Sequence, residues 1–219
     1  MSGARGQVQT VTTAARLREI VGEPGERART KVRPVLDGDD RAWLAAATLC
    51  FLATSDAAGR CDVSPKGDPP GRLVHVVDDT TLAIGERPGN RRVDGYLNVL
   101  DNPRVGMVFV VPGRSDVLRV NGVATLVEDA PWFADLTVQG RRPVLALMVH
   151  VEEVFGHCAK ALVRSQAWHP KTWDPAGVTD VSASARQRRA RGLPDLHAAI
   201  TDVGQLEQAQ VDSYDVPLY

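Results

Sequence analysis

The spacing of apolar residues changes along the chain from a helical period to an extended one. Residues 12–22 place apolar side chains three and four positions apart, which predicts a helix that ends at a glycine. A second helix is predicted at residues 39–47, and either Asp37 or Asp39 can cap it. From residue 48 onward, short apolar runs and alternating positions predict strands instead.

Runs of this extended type are separated by turn-forming residues. Residues 66–71 contain two prolines and two glycines, so they are expected to form a shaped loop rather than helix or strand. The pair Asn121-Gly122 is either a hairpin turn or a glycine bulge within one long strand. Six or seven strands with turns at short intervals predict an antiparallel β-barrel trimmed by helices. The runs cover residues 48–54, 61–65, 72–78, 80–85, 104–113, 117–129 and 143–155.

Short helices are predicted between and after the strands. Residues 93–101 carry one apolar stripe, and an Asn-Pro pair ends this helix. Asp129 is expected to cap a further helix that has Pro131 in its first turn. Residues 157–168 predict one or two helical turns, and a last helix is predicted at residues 194–210. The apolar stripe of the first of these helices consists of Val93, Tyr96, Leu97 and Leu100.

Composition and charge narrow the classes of function. The 219 residues include 26 basic and 27 acidic side chains, for a formal net charge of −1. This balance gives no overall positive field, so binding to nucleic acid is not expected. No apolar run has the length of a membrane span, about 18 residues, and the polar start lacks a secretory leader. With three scattered cysteines, we expect a reduced, cytoplasmic protein that binds neither metal nor membrane.

The segment RPGNRR, residues 87–92, is the first candidate for chemistry. It directly precedes the predicted helix at 93–101, and the start of a helix favours phosphate or carboxylate. Arg91 and Arg92 would add charge-assisted hydrogen bonds, whereas Arg87, beyond the Pro-Gly pair, is expected to face solvent. The alternative is a solvated loop in a chain rich in arginine.

Two other segments could contribute to a binding site. In SPKGDPPG, residues 64–71, glycines allow close approach of a flat ligand, and Ser64 and Lys66 offer a hydroxyl and an ammonium. An ordinary surface turn is the alternative reading. No motif for a catalytic side chain or a nucleotide-binding loop occurs in the chain.

The segment HCAKALVRS, residues 157–165, places three cationic or titratable side chains at helical spacing. On one helix they would share a face and could hold an anion or a cofactor. They are His157, Lys160 and Arg164. A solvated basic face is the alternative.

Several short motifs occur together in one order along the chain: SPKGDPPG, RPGNRR, NPRVGMVF, LRVNG and HCAKALVRS. Across residues 12–175, this order resembles the pyridoxamine 5′-phosphate oxidase-like, FMN-binding split-barrel family, in particular a branch of bacterial flavoproteins. The resemblance implies a mainly β protein with helical trim, built as a six-stranded antiparallel split β-barrel. It further implies a homodimer with FMN in grooves between the subunits.

The resemblance also implies a set of cofactor-binding residues. Basic residues before the helix that ends in Asn-Pro would grip the FMN phosphate, and polar residues of the SPKGD segment would lie near the ring or the ribityl chain. A third group would close the site from the same subunit or its partner. The corresponding residues are Asn90, Arg91 and Arg92 for the phosphate, Ser64 and Lys66 for the ring, and His157, Lys160 and Arg164 for the closing group.

The implied activity is that of an FMN-dependent oxidoreductase acting on a small molecule, in which the flavin carries the chemistry and no catalytic side chain is required. The alternatives are a flavin-binding or sensing protein without catalysis, or a relative that binds deazaflavin or haem. Two positions depart from the branch: Arg72 replaces an apolar residue, and Gly85 stands where proline is common. The signature of the vitamin B6 oxidases is not found, so oxidation of vitamin B6 is not inferred.

The chain is expected to divide into three parts. Residues 1–35 would form an N-terminal helix and connector, residues 36–168 the split barrel, and residues 169–219 a C-terminal extension with a short helix.

Overall fold

The structure is a computed structural model that describes residues 8–88, 91–174 and 190–191. The described part contains seven strands, and each one falls within or overlaps one of the seven predicted runs. The strands are β1 Leu49–Ser55, β2 Cys61–Gly67, β3 His75–Asp78, β4 Thr81–Gly85, β5 Arg104–Val110, β6 Val117–Val127 and β7 Ala146–His157. The α-helices are α1 Ala14–Val21, α2 Glu26–Thr30, α3 Gly38–Ala46, α4 Asp94–Asp101 and α5 Lys160–Arg164. Two 3₁₀ turns cover Pro131–Ala134 and Pro170–Thr172.

All seven strands belong to one antiparallel sheet in the order β2-β1-β5-β6-β7-β4-β3. This mainly β architecture with helical trim confirms the predicted fold class. The sheet has seven strands rather than six, and the two end strands, β2 and β3, are not paired with each other. The sheet is therefore open at one seam, as expected of a split rather than a closed barrel.

The core lies on the inner face of the curved sheet. Alternate residues of β1, β5 and β6 are buried there, as the two-residue period of strands requires. Leu44 of α3 and Tyr96 and Val99 of α4 pack against the same cluster. This packing fixes α4 beside the strands and places its first turn next to β2.

The Asn121-Gly122 pair lies inside one continuous strand, β6, where the register with β7 shifts. The hairpin turn is therefore wrong and one continuous strand is confirmed. The extra residue of the bulge is Glu152 of β7, opposite Asn121 and Gly122, so the bulge is not in β6 itself. Glycine is required at residue 122 because a Cβ atom there would lie 2.0 Å from the backbone oxygen of His150. The bulge lets β6 remain paired with β7 along its whole length.

The prediction that the apolar stripe of α4 forms its buried face is wrong. Tyr96 is buried, but Leu97 and Leu100 are 55% and 70% exposed, and the packed face consists of Gly95, Tyr96 and Val99. Gly95 faces the sheet, since a Cβ atom there would lie 3.4 Å from the Thr54 hydroxyl on β1. The close approach of helix to sheet, rather than the number of apolar residues, selects the face.

The structure decides which residues cap two of the predicted helices. Asp37, not Asp39, caps α3: its carboxylate accepts from the Asp40 backbone N–H at 3.0 Å, and Asp40 accepts from the Asp37 N–H at 2.9 Å. The cap predicted at Asp129 is wrong, because Ala130 occupies that position and Asp129 is bonded to Arg142.

The remaining expectations about organisation concern the chain ends and the membrane. The predicted helix at 194–210 lies outside the described residues, and the division of the chain at residues 35 and 168 stays a prediction. Among the described residues, no helix has the length and apolar character needed to span a bilayer.

Candidate functional site

A cavity of about 480 Å³ lies between β2, the segment after β4 and the start of α4. Its wall is polar and charged near these elements and apolar at Leu73. The side chains that matter for its chemistry are Ser64, Lys66, Asp68, Glu86, Arg87, Arg92 and Tyr96. Ser64, Lys66 and Arg92, which were predicted from separate motifs, are therefore brought to one cavity.

The two-residue period of β2 explains how this strand contributes. Asp62, Ser64 and Lys66 are half-buried and line the cavity, whereas the residues between them are exposed. β2 is an end strand that pairs only with β1. Pro65, which has no backbone N–H, is therefore tolerated here, because an end strand need not bond a neighbour on both sides. An edge position thus allows a strand to carry polar side chains on its inner side.

Lys66 lies in a close contact with two residues that the sequence did not single out. Its ammonium donates to Glu86 Oε2 at 2.7 Å, and the Tyr96 hydroxyl donates to the same oxygen at 2.6 Å. Burial, followed by the bond to Glu86, raises the pKa of Tyr96. Tyr96 had been assigned to packing, and Glu86 is 20 positions from its lysine partner, so no local pattern indicated the pair.

The prediction that Arg87 faces solvent is wrong. Its side chain is 14% exposed, and its Nε donates to both oxygens of the buried Asp68 carboxylate, at 3.1 and 2.9 Å. It also donates to the backbone oxygen of Leu136 at 2.7 Å. Arg87 therefore ties the Gly- and Pro-rich loop at 66–71 to the segment after β4, which shapes one side of the cavity.

The predicted phosphate-gripping residues are placed differently: of the two that are described, only Arg92 lines the cavity. Arg92 lines the cavity, is 73% exposed and donates to Asp94 at 2.7 Å, a bond that raises its pKa. Arg91 is exposed and has a φ of 61°. Asn90 lies outside the described residues. Val93, the residue before α4, lies in the left-handed region and has no side-chain acceptor, so it does not cap the first turn of this helix.

The third predicted group is not brought to this cavity within one chain. His157 is the last residue of β7, where it pairs with Val117, while Lys160 begins α5. The prediction of one helical face for the three side chains is therefore wrong, because strand pairing continues through His157. Lys160 and Arg164 are exposed on α5, and their role in closing a site stays a prediction.

His157 lines a different cavity together with Lys31 of the N-terminal region. Its Nδ1 atom is buried and has no hydrogen-bond partner among the described residues. Burial, followed by the nearby charges of Arg119 and Lys31, lowers the pKa of His157. The neutral imidazole is therefore favoured in the folded protein.

The two departures from the branch pattern have structural explanations. Arg72 does not line the cavity; it donates to the backbone oxygen of Asp135 at 2.9 Å. Gly85 ends β4 against Pro143, and a Cβ atom there would lie 3.0 Å from the proline Cβ. Within the described residues, no group of three His, Cys, Asp or Glu side chains is arranged to hold a metal ion.

Comparison with known proteins identifies similarity over the region that contains the sheet. The pyridoxamine 5′-phosphate oxidase family matches residues 36–158, more than half of the chain. No curated protein matches the chain.

Similar solved structures include a candidate pyridoxamine 5′-phosphate oxidase from Lactobacillus delbrueckii, which is 25% identical with a TM-score of 0.45 over 57% of this chain and 99% of that one. HupZ from Group A Streptococcus is 24% identical with a TM-score of 0.44, over 55% of this chain and 93% of that one. An F420 reductase is 19% identical with a TM-score of 0.37, over 53% of this chain and 94% of that one.

Proposed function

Because the chain belongs to the pyridoxamine 5′-phosphate oxidase family, we propose that it binds FMN and acts as an FMN-dependent oxidoreductase on a small molecule. The observation that carries the proposal is the cavity between β2 and α4. Lys66 and Arg92 line this cavity, and Arg92 adjoins the start of α4, which Val93 does not cap.

The residues of the cavity fit the two chemical parts of FMN. The phosphate needs donors and positive charge, which Arg92 and the first turn of α4 supply together. A guanidinium carries five N–H donors, so Arg92 can hold the Asp94 carboxylate and a phosphate at once. The ring needs donors and an apolar surface, for which Ser64, Lys66 and Leu73 are present.

When bound, FMN supplies hydride or electron transfer. The chain's own residues bind, orient and shield the ligand. Arg92, with its chain neighbour Arg91, holds the phosphate, and Lys66 donates a hydrogen bond inside the cavity. The Arg87–Asp68 pair keeps the surrounding loop in place.

Absorption spectroscopy and mass spectrometry of the co-purified ligand test the proposal directly. We expect the two bands of oxidised flavin and the mass of FMN. A Soret band would indicate haem, and the single long-wavelength band of a deazaflavin would indicate that cofactor. A flavin-loaded protein without activity towards electron acceptors would favour binding or sensing without catalysis.

Substitution of Arg91 and Arg92 together tests the phosphate assignment. We expect Arg91→Ala with Arg92→Ala to weaken FMN binding about tenfold or more, because one charge-assisted bond contributes about 1.5–3 kcal/mol. The fold should remain intact, since both side chains are exposed. Affinity is measured by fluorescence titration of the flavin-free protein.

Arg114→Ala is the matched control for this experiment. Arg114 also donates to an aspartate two residues later, Asp116, and is exposed, but it does not line the cavity. We expect this variant to retain FMN. Full FMN affinity in the variant that carries both Arg91→Ala and Arg92→Ala would contradict the phosphate assignment.

We extend the proposal to a homodimer in the cytoplasm. An apolar groove on the outer side of the sheet includes Phe51 and Val63, which are 41% and 60% exposed. The apolar residues of α1 are exposed as well, and an eight-residue helix is not stable without packing. A second copy would cover both surfaces. Three free cysteines fit a reducing compartment.

A further inference from the structure

Glu86 connects two other side chains at the wall of the cavity. Its Oε2 atom accepts one hydrogen bond from the Lys66 ammonium at 2.7 Å and another from the Tyr96 hydroxyl at 2.6 Å. The Lys66 Nζ atom also lies 4.5 Å from the centroid of the Tyr96 ring. The three residues come from β2, the segment after β4 and α4, so only folding brings them together.

The burial of this cluster makes its charge important. The side chains of Lys66 and Glu86 are each 18% exposed, and Tyr96 is buried. In such a setting a lone ammonium would attract an anion, whereas an ammonium bonded to a carboxylate forms a neutral pair. An ammonium has three donors, and among the described residues only Glu86 accepts from it. Lys66 can therefore still donate to a ligand in the cavity that it lines.

We propose that Glu86 is a positioning residue for Lys66: it holds the ammonium at one point of the cavity wall and cancels its charge. Lys66 then offers a hydrogen bond to a neutral polar edge of the ligand, such as a ring carbonyl, instead of a site for an anionic group. This role rests on the proposed function, in which the ligand is FMN. The neutral ring edge lies at the Lys66 wall, and the phosphate lies at the mouth.

The reduction potential of the bound flavin tests whether Glu86 cancels the charge of Lys66. Glu86→Gln keeps the size of the side chain but leaves the Lys66 charge uncompensated, which favours the anionic reduced ring and raises the potential. Lys66→Met leaves the carboxylate uncompensated and lowers the potential. The double variant is neutral again, so its potential is expected to lie close to that of the unaltered protein.

The two single variants are expected to shift the reduction potential in opposite directions. Either variant is sufficient for the test if it folds and binds flavin. Bound flavin whose potential does not shift in the expected direction would overturn the role of Glu86 while leaving flavin binding intact. A protein that takes up no flavin contradicts the proposed function instead. The contact between Glu86 and Lys66 is then tested in the flavin-free protein.

Acetylation with acetic anhydride, followed by mass spectrometry, provides that second measurement. The chain has four lysines, and Lys31, Lys160 and Lys171 serve as internal references for Lys66. We expect Glu86→Gln to raise the relative labelling rate of Lys66 several-fold, because the amine is then no longer held against a carboxylate. Equal relative rates in the two proteins would overturn the positioning role.

Discussion

At the residue scale, carboxylates set the local charge of the cavity. Lys66, Arg87 and Arg92 each bond an acidic side chain, and the first two pairs are largely buried. A buried cation that already has a counterion contributes directed donors but little net attraction for anions. Selection among ligands inside this cavity is therefore expected to depend on hydrogen-bond geometry. Attraction of a phosphate is expected only at the exposed mouth.

His157 is expected to make the folded state sensitive to acid. Burial, Arg119 and Lys31 lower its pKa in the folded protein, whereas the unfolded chain has the ordinary value of about 6.5. As the pH falls below that value, the unfolded state binds a proton that the folded state resists, so the free energy of unfolding decreases. We expect His157→Gln to lose less stability between about pH 7.5 and about pH 5.5, as measured by urea unfolding.

His150→Gln is the control for that measurement. His150 also belongs to β7, but it is exposed. Its substitution should leave the acid sensitivity of the protein unchanged. If His157→Gln and the unaltered protein lose stability equally over this pH range, the charge on His157 does not govern the acid response.

At the element scale, the cavity forms because β2, an end strand of the sheet, faces the start of α4. β2 has β1 as its one partner strand, and its inner side faces α4 across the cavity. The helix approaches this closely at Gly95, where a Cβ atom would lie 3.4 Å from Thr54 and 3.7 Å from Asp62. An added Cβ atom would be in ordinary van der Waals contact with both side chains, so α4 and the strands already lie close together here.

The N-terminal cap of α3 is expected to contribute measurably to stability. Asp37→Ala removes the side-chain acceptor of the capping box, which typically costs about 0.5–2 kcal/mol. Asp37→Asn retains a capping side chain and should lose less, although it also removes the charge that faces Arg33. The free energy of unfolding is measured by chemical denaturation.

Asp39→Ala is the matched comparison, since the sequence offers both aspartates as caps. Asp39 lies inside the first turn of α3, and Asp37 is the residue whose carboxylate accepts from the helix backbone. We expect the Asp39 variant to be the more stable of the two alanine variants. The reverse order would contradict the capping assignment.

At the scale of the whole molecule, exposed apolar surface predicts assembly. The groove that includes Phe51 and Val63 lies on the opposite side of β1 and β2 from the core. Burial of apolar area stabilises association by about 25 cal/mol per Å², although association entropy opposes it. Covering this groove and α1 with a second copy would remove both surfaces from water.

Val63→Asp is expected to weaken the proposed dimer, because a charge would be buried in an apolar interface. Size-exclusion chromatography with light scattering should show a shift from dimer to monomer. Val144→Asp is the control, because Val144 is 71% exposed but does not line the groove. A Val63→Asp protein that remains as fully dimeric as the control would exclude this surface as the interface.

Much of the fold is already determined by the sequence alone. Each predicted run overlaps a strand, because a two-residue alternation and flanking turn residues act over a few neighbouring positions. The end of α1 at Gly22 follows from a local signal in the same way, whereas the choice between Asp37 and Asp39 as the cap of α3 was decided by the structure. The open choice at Asn121-Gly122 depended on the partner strand β7, which lies far away in sequence.

The candidate site was predictable in part for the same reason. Ser64, Lys66 and Arg92 belong to short motifs, and the fold places all three at one cavity. What the tertiary structure alone decided was the partner of each charge and the buried face of each helix. Glu86 meets Lys66 across 20 positions, and Arg87 meets Asp68 across 19. Such contacts depend on how an end strand, a loop and a helix pack, and no local period in the sequence encodes that packing.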